Sequence, residues 1–101
     1  MGFDFSQQDI AVSNPVSAGS SFRFSYQATN NGPDDAGHDD HVQMWGSDGT
    51  VVLDEQHTAP ASQTGGLYGV FVDVHALHPG YYDVAITLGD GTAAGTTVIV
   101  Q

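Results

Sequence analysis

From Phe22 to Ala28 the chain alternates: Phe22, Phe24, Tyr26 and Ala28 interleave with Arg23, Ser25 and Gln27. Successive side chains of an extended backbone point to opposite faces, so this run is a strand with one apolar side and one wet side. The pattern returns twice. Val70, Val72 and Val74 alternate with Phe71, Asp73 and His75, and Tyr82, Val84, Ile86 and Leu88 with Tyr81, Asp83, Ala85 and Thr87. No stretch carries the 3.6-residue period of an amphipathic helix. A period of two with one polar side means half-buried antiparallel strands, which need a second layer to cover their apolar faces.

Four further segments, 9–13, 41–45, 50–56 and 96–101, complete a set of about seven strands. Breaker-rich stretches separate them, and Pro15, Pro33, Pro60 and Pro79 all fall outside the strand interiors, where a missing N–H would cost a ladder bond. Seven short strands at such intervals predict an all-β sandwich or barrel. The run Leu77-His78-Pro79-Gly80-Tyr81-Tyr82 decides between them. Leu-x-Pro-Gly-x-Tyr ahead of an alternating strand is the sequence form of a tyrosine corner, in which the Tyr82 hydroxyl bonds nearby backbone. The expected fold is an immunoglobulin-like Greek-key β-sandwich of antiparallel strands.

Size and composition suit this. The 101 residues allow one domain, and 40% of them are apolar, enough for a core. There is no cysteine, hence no disulfide or thiolate metal site to share the task. One arginine stands against twelve acids, for a formal net charge of −11. Nucleic acid is excluded as a partner because phosphate binding needs a basic footprint, and an anionic membrane surface is disfavoured in the same way. No apolar run approaches the ~18 residues of a membrane span, and the first ten residues lack the basic-then-apolar pattern of a signal peptide. Such a charge suits a saline or calcium-rich exterior, where repulsion is screened, and added salt should raise the melting temperature.

From Asp9 onward the chain resembles the CARDB family, the cell-adhesion-related immunoglobulin-like domains of bacteria and archaea. The resemblance lies in Asp9–Val12, in the Ala28–Gly37 stretch ATNNGPDDAG, in Val42–Trp45, and in Leu77–Val84, and it covers about nine-tenths of the chain. It implies an immunoglobulin-like fold, extracellular exposure and a binding or spacing role, with no catalytic residues to carry over. The histidine-rich loop departs from the family pattern, as does the absence of basic residues on the strand faces. On this reading residues 9–101 form the domain and residues 1–8 an N-terminal arm.

Residues 30–41, NNGPDDAGHDDH, pose the question of chemistry. Four aspartates and two histidines occupy twelve positions. The acids lack the spacing of a calcium loop, although Asp34, Asp35, Asp39 and Asp40 could hold an ion weakly. His38 and His41, like His75 and His78, form His-x-x-His pairs, yet three residues on an extended chain place the two rings on opposite faces. The two pairs also belong at opposite ends of a sandwich, roughly 20 Å apart at ~3.3 Å per residue. A same-face Asp39–His41 pair is the remaining arrangement. No Gly-x-Ser-x-Gly elbow, cysteine or lysine supplies a nucleophile, and the carboxylates are expected in turns where nothing desolvates them. The stretch is therefore expected to be a wet connector, the chain to be no enzyme, and no catalytic residue, metal or cofactor is assigned.

Contact residues are the better candidates. Alternation points Trp45 away from Val42 and Met44, and Tyr81 away from Tyr82, so both could share the outer face of one sheet; the alternative makes Trp45 the buried tryptophan of immunoglobulin domains, shifted by a bulge. Phe71 points outward on the other sheet, open or covered by the arm or a loop. Phe3 and Phe5 alternate in the arm, which pairs either with its own sheet or with a neighbouring molecule. Arg23 should face Asp73 across two strands. These features predict a non-enzymatic structural or binding protein whose partner is another protein, such as a shell or coat protein, or a further copy of this chain. The leading expectation is a small subunit decorating an external assembly such as a viral capsid or tail, at the virion surface or otherwise extracellular. The alternatives are an adhesion or spacer module of the CARDB kind from a secreted protein, and a carbohydrate-binding module resting on Trp45 and Tyr81.

Overall fold

The computed structural model describes residues 2–12 and 14–101, with residues 4–9 described as backbone only. Its strands are β1 (Phe3–Ala11), β2 (Phe22–Asn30), β3 (His38–Gly46), β4 (Val51–Ala59), β5 (Leu67–Val74), β6 (Gly80–Thr87) and β7 (Ala93–Val100). They form two antiparallel sheets, ordered β1-β2-β5 and β4-β3-β6-β7, and no helix is present among the described residues. This is the expected immunoglobulin-like β-sandwich, with β4 beside β3 in the larger sheet.

The alternation read from the sequence sets the core. Phe24 lies opposite Val72 and Phe22 opposite Val74 in the smaller sheet, while Val42 faces Ile86 and Met44 faces Val84 and Leu53 in the larger one. The inward members Phe24, Val72, Val74, Val42, Met44, Val84, Ile86 and Val98 are all essentially buried. Each contributes about 1.5–3 kcal/mol over an exposed position. A one-residue slip of any strand would turn this set to water, which pins the register.

Two tight hairpins reuse one device. In the β3–β4 turn the Asp48 carboxylate accepts the Thr50 N–H at 3.0 Å, and Gly49 takes a φ of +87°. In the β6–β7 turn Asp90 accepts the Thr92 N–H at 3.0 Å and Gly91 takes +95°. Asp-Gly-Thr works in both because glycine alone adopts positive φ without a Cβ clash, and the short acid satisfies an amide two residues on.

The chain ends are tied in. β1 pairs with β2 from Phe3 opposite Asn30 to Ala11 opposite Ser25, so residues 3–8 lie in a strand of the smaller sheet. The register breaks between Phe5 and Ile10, which lie opposite Ala28 and Tyr26: five steps of β1 span two of β2. Beyond β1 the chain crosses to the other sheet, where Val16 bridges Val100 and the Asn14 side chain bonds both Thr97 O and Ile99 N at 3.0 Å. That crossing covers part of the β7 edge, which would otherwise offer open backbone to another chain.

Candidate functional site

The twelve-residue acidic stretch is not the wet connector its composition suggests. β3 begins at His38, so His38, Asp39, Asp40 and His41 are strand residues. Even-numbered positions face the sandwich interior. Asp40 is 0% exposed and the His38 side chain 14%, which overturns the expectation that every acid sits undesolvated in a turn and that the whole stretch is wet. Alternation continues two residues further toward the strand start than the apolar run Val42–Met44 discloses, and that carries a carboxylate inside.

The buried carboxylate is fully supplied. Asp40 Oδ2 accepts the hydroxyls of Tyr26 at 2.8 Å and Tyr68 at 3.0 Å. Its Oδ1 accepts the Gly89 N–H at 3.2 Å and faces His38 Nε2 at 2.9 Å. Acceptor-only ionised oxygens surrounded by donors are the arrangement that makes a buried charge tolerable. On its other side His38 Nδ1 meets Asp35 Oδ2 at 2.9 Å, an oxygen that also accepts the Gly37 N–H. An imidazole between two carboxylates can satisfy both only by donating from both nitrogens, which is the imidazolium form.

The titration behaviour follows. Burial alone would lower the His38 pKa, but the Asp35 hydrogen bond and the charges of Asp40 and Asp35 outweigh it, and the pKa is raised. The bond from His38 holds the Asp35 carboxyl below its ordinary value. Burial first, and the Asp40 carboxylate next, push the Tyr26 and Tyr68 phenols well above theirs. Among the described residues, no buried side-chain nitrogen or oxygen lacks a partner. The buried polar atoms of this cluster are thus engaged by groups of the protein itself, which ties β2, β3 and β5 together.

Phe3 closes this end of the sandwich. Its ring lies 4.5 Å from that of His38 and 6.0 Å from that of Tyr68, centroid to centroid. As an expected contact residue, Phe3 thus packs on its own core, while the Phe5 side chain lies outside the described set. Asn30, at the end of β2, is buried as well; its side chain accepts the Gly32 N–H at 2.9 Å and bonds Pro33 O at 3.0 Å, which organises the start of the loop.

The other histidines stay apart. Asp39 accepts from Thr58 Oγ1, and His41 reaches Asp54 on β4, so the same-face Asp39–His41 pair gives way to two contacts with the neighbouring strand. His75 and His78 lie beyond β5, near the opposite end. There the Tyr82 hydroxyl donates to His78 O at 2.8 Å, the expected tyrosine corner. Among the described residues no three histidines and acids are grouped to hold a metal.

Three of the expected contact residues do face outward. Phe71 is 68% exposed on β5, uncovered by the arm, with the Arg23 guanidinium 5.4 Å from its ring centroid and the Arg23–Asp73 ion pair beside it at 2.7 Å. Tyr81 is 63% exposed on the larger sheet. Trp45 is half-buried on that same outer face, opposite Asp83. It borders a shallow groove of about 580 Å³ that includes Asp83, Ala85, Gly95 and Thr97. Sequence reasoning missed one exposed apolar neighbour, Leu67, which lies on the Phe71 face at the start of β5 and is 58% exposed. Its alternation with Gly69 and Phe71 was the available signal.

No protein-family model matches the chain, and no curated protein matches it at a significant level. Solved structures share the fold. A β-glucosidase from Listeria innocua, in complex with glucose, aligns over 97% of this chain with a TM-score of 0.66 at 13% identity. The C-terminal domain of Wzt aligns over 91% with a TM-score of 0.66 at 11% identity. The alkylpurine DNA glycosylase AlkC of Pseudomonas fluorescens, bound to DNA containing an abasic-site analogue, aligns over 99% with a TM-score of 0.65 at 13% identity. The chain spans 15% of the glucosidase, 69% of the Wzt domain and 30% of the glycosylase. At such identities the likeness is one of fold.

Proposed function

We propose that the chain is a non-enzymatic immunoglobulin-like contact protein that decorates a larger external assembly, such as a viral capsid or tail, by seating on a protein partner. One observation carries this reading: large apolar side chains stand exposed on both outer faces, Phe71 and Leu67 on one sheet and Tyr81 on the other. Exposed aromatics supply contact area at small entropic cost, which is why interfaces favour them. The net charge of −11 keeps unpartnered copies apart while leaving these apolar points free to dock. The test places a photo-cross-linking residue at position 71 and, separately, at position 81 in the native source. Adducts to one shell protein from either face support decoration; a chain that stays free of any large particle refutes it.

The resemblance to the CARDB family supports an adhesion or spacer module instead, as does the occurrence of similar folds inside much longer proteins. A carbohydrate-binding role has its own support in the Trp45 groove, where an aromatic edge, the Asp83 carboxylate and the Thr97 hydroxyl border a floor of small residues. Affinity electrophoresis in soluble polysaccharides separates that reading, since retardation abolished by Trp45→Ala requires it.

A further inference from the structure

The first residues of β1 form a unit of their own. Beyond the register break between Phe5 and Ile10, Phe3, Asp4 and Phe5 pair with Asn30, Thr29 and Ala28 of β2, and further contacts tie this segment to the other sheet and the loop. The Gly2 carbonyl accepts the Asn31 N–H at 2.7 Å, and the Phe3 N–H donates to Asp90 Oδ2 at 2.7 Å. Thr92 Oγ1 donates to Phe3 O at 3.0 Å, and the Phe3 ring rests on His38. Asp90 thus holds its own turn with one oxygen and the terminal strand with the other; Asp48, in the matching turn at the far end, holds only its turn among the described contacts. Gly89 leaves the space that the imidazole fills, since a Cβ there would lie 2.5 Å from His38 Cδ2.

We propose that His38 is a proton-controlled latch on the Gly2–Phe5 strand, which stays docked while the ring is an imidazolium and comes away as it loses its proton. This ring is what Phe3 packs against, tilted and 4.5 Å away between centroids. It is also what binds the loop at Asp35 to the strand at Asp40, forming the floor on which Phe3 sits. Deprotonation leaves one of the two carboxylates facing a nitrogen lone pair, and the ring can no longer bridge them.

The groups facing His38 are Asp35 from the preceding loop, Asp40 of β3 and Tyr68 of β5; Asp90 bonds the adjoining Phe3, and Tyr26 bonds Asp40. Tyr26 and Tyr68 stay protonated while His38 titrates, since phenols titrate well above neutrality and these two are pushed higher. Asp35 and Asp90 stay charged throughout because carboxyls titrate far below neutrality, and both are held lower still. His38 has a raised folded pKa, so the latch is complete below the ordinary imidazole value and is lost as pH climbs through the raised one.

Amide hydrogen exchange on the full chain tests this, with rates corrected for intrinsic pH dependence and the amides of Val42 and Ile86 as the core reference. Between about pH 6 and about pH 9, protection of the Phe3 and Asn31 amides should fall about tenfold relative to that reference. In Asp35→Asn, which alters a partly exposed flank and spares Asp40, the midpoint of that loss should move to lower pH. In His38→Gln the protection should be low and independent of pH. Protection that is flat with pH in the unmodified chain, or an unmoved midpoint in Asp35→Asn, overturns the latch.

Discussion

The two ends of this sandwich carry the same His-x-x-His spacing and the same Asp-Gly-Thr hairpin, yet they are held in different ways. At one end His38 joins Asp35, Asp40, Tyr26 and Tyr68 in a buried, charged network capped by Phe3. At the other a neutral hydroxyl-to-carbonyl bond from Tyr82 to His78 ties the corner, over the buried Leu77. The difference comes from where each motif meets the strands. His38 opens β3 on its inward side, so the sheet carries it under the second layer; His75 and His78 follow the end of β5 and stay in water. A spacing in sequence acquires chemistry only when the pleat turns it inward.

Substitution should make this contrast measurable. The largest effect is expected for Asp40→Ala, which strips two phenols and an imidazolium of their common partner. Removing one side of a buried charged network costs about 3–5 kcal/mol, read as a fall in the urea midpoint. An effect under ~1 kcal/mol would mean that the charged end is no more costly to break than the neutral one.

The neutral end should give less. Tyr82→Phe removes one hydroxyl bond to backbone and keeps the ring in place, for a loss of about 1 kcal/mol. Tyrosine-corner and Asp40 losses should add in the double variant, because the two sites share no partner.

Alkaline titration sharpens the comparison. Stability should decline as pH rises through the raised pKa of His38, because the folded state binds that proton more tightly than the unfolded chain does. Thermal melts of His75→Ala should keep the decline, and those of His38→Gln should lose it. Equal pH dependence in both variants would assign the proton elsewhere.

Two smaller effects bear on the surface. Arg23→Ser should leave the urea midpoint unchanged within error, since the Arg23–Asp73 pair is exposed and screened by solvent on both sides. Moderate NaCl should raise the melting temperature of the whole molecule by screening a charge of −11, with no preference for either end. A melting temperature flat from low to molar salt would show that this charge is already dispersed too widely to strain the fold.

Much of this architecture was legible in one dimension. Alternation at Phe22–Ala28, Val70–Val74 and Tyr82–Leu88 marks three strands and their inward faces, and Leu77–Tyr82 marks the corner that joins two of them. The exposed pair of Arg23 with Asp73 was legible too, because neighbouring strands put those positions opposite each other. The acidic stretch was misread for a definite reason. Four aspartates and two histidines resemble a loop by composition, and nothing local shows that Tyr26 and Tyr68, from two other strands, converge on Asp40.

The amino-acid order on its own therefore determined the strands, their faces and the sign of the surface, since each depends on neighbours one or two residues away. Only the packed molecule decided which acid is buried, which histidine has its pKa raised and where the N-terminal strand docks. The burial of Asp40 and the docking of the strand require partners 14 to 87 residues distant to meet within hydrogen-bond reach. Although Asp35 and Asp40 lie near His38 in the chain, desolvation acts on these groups only once the distant partners have closed around them.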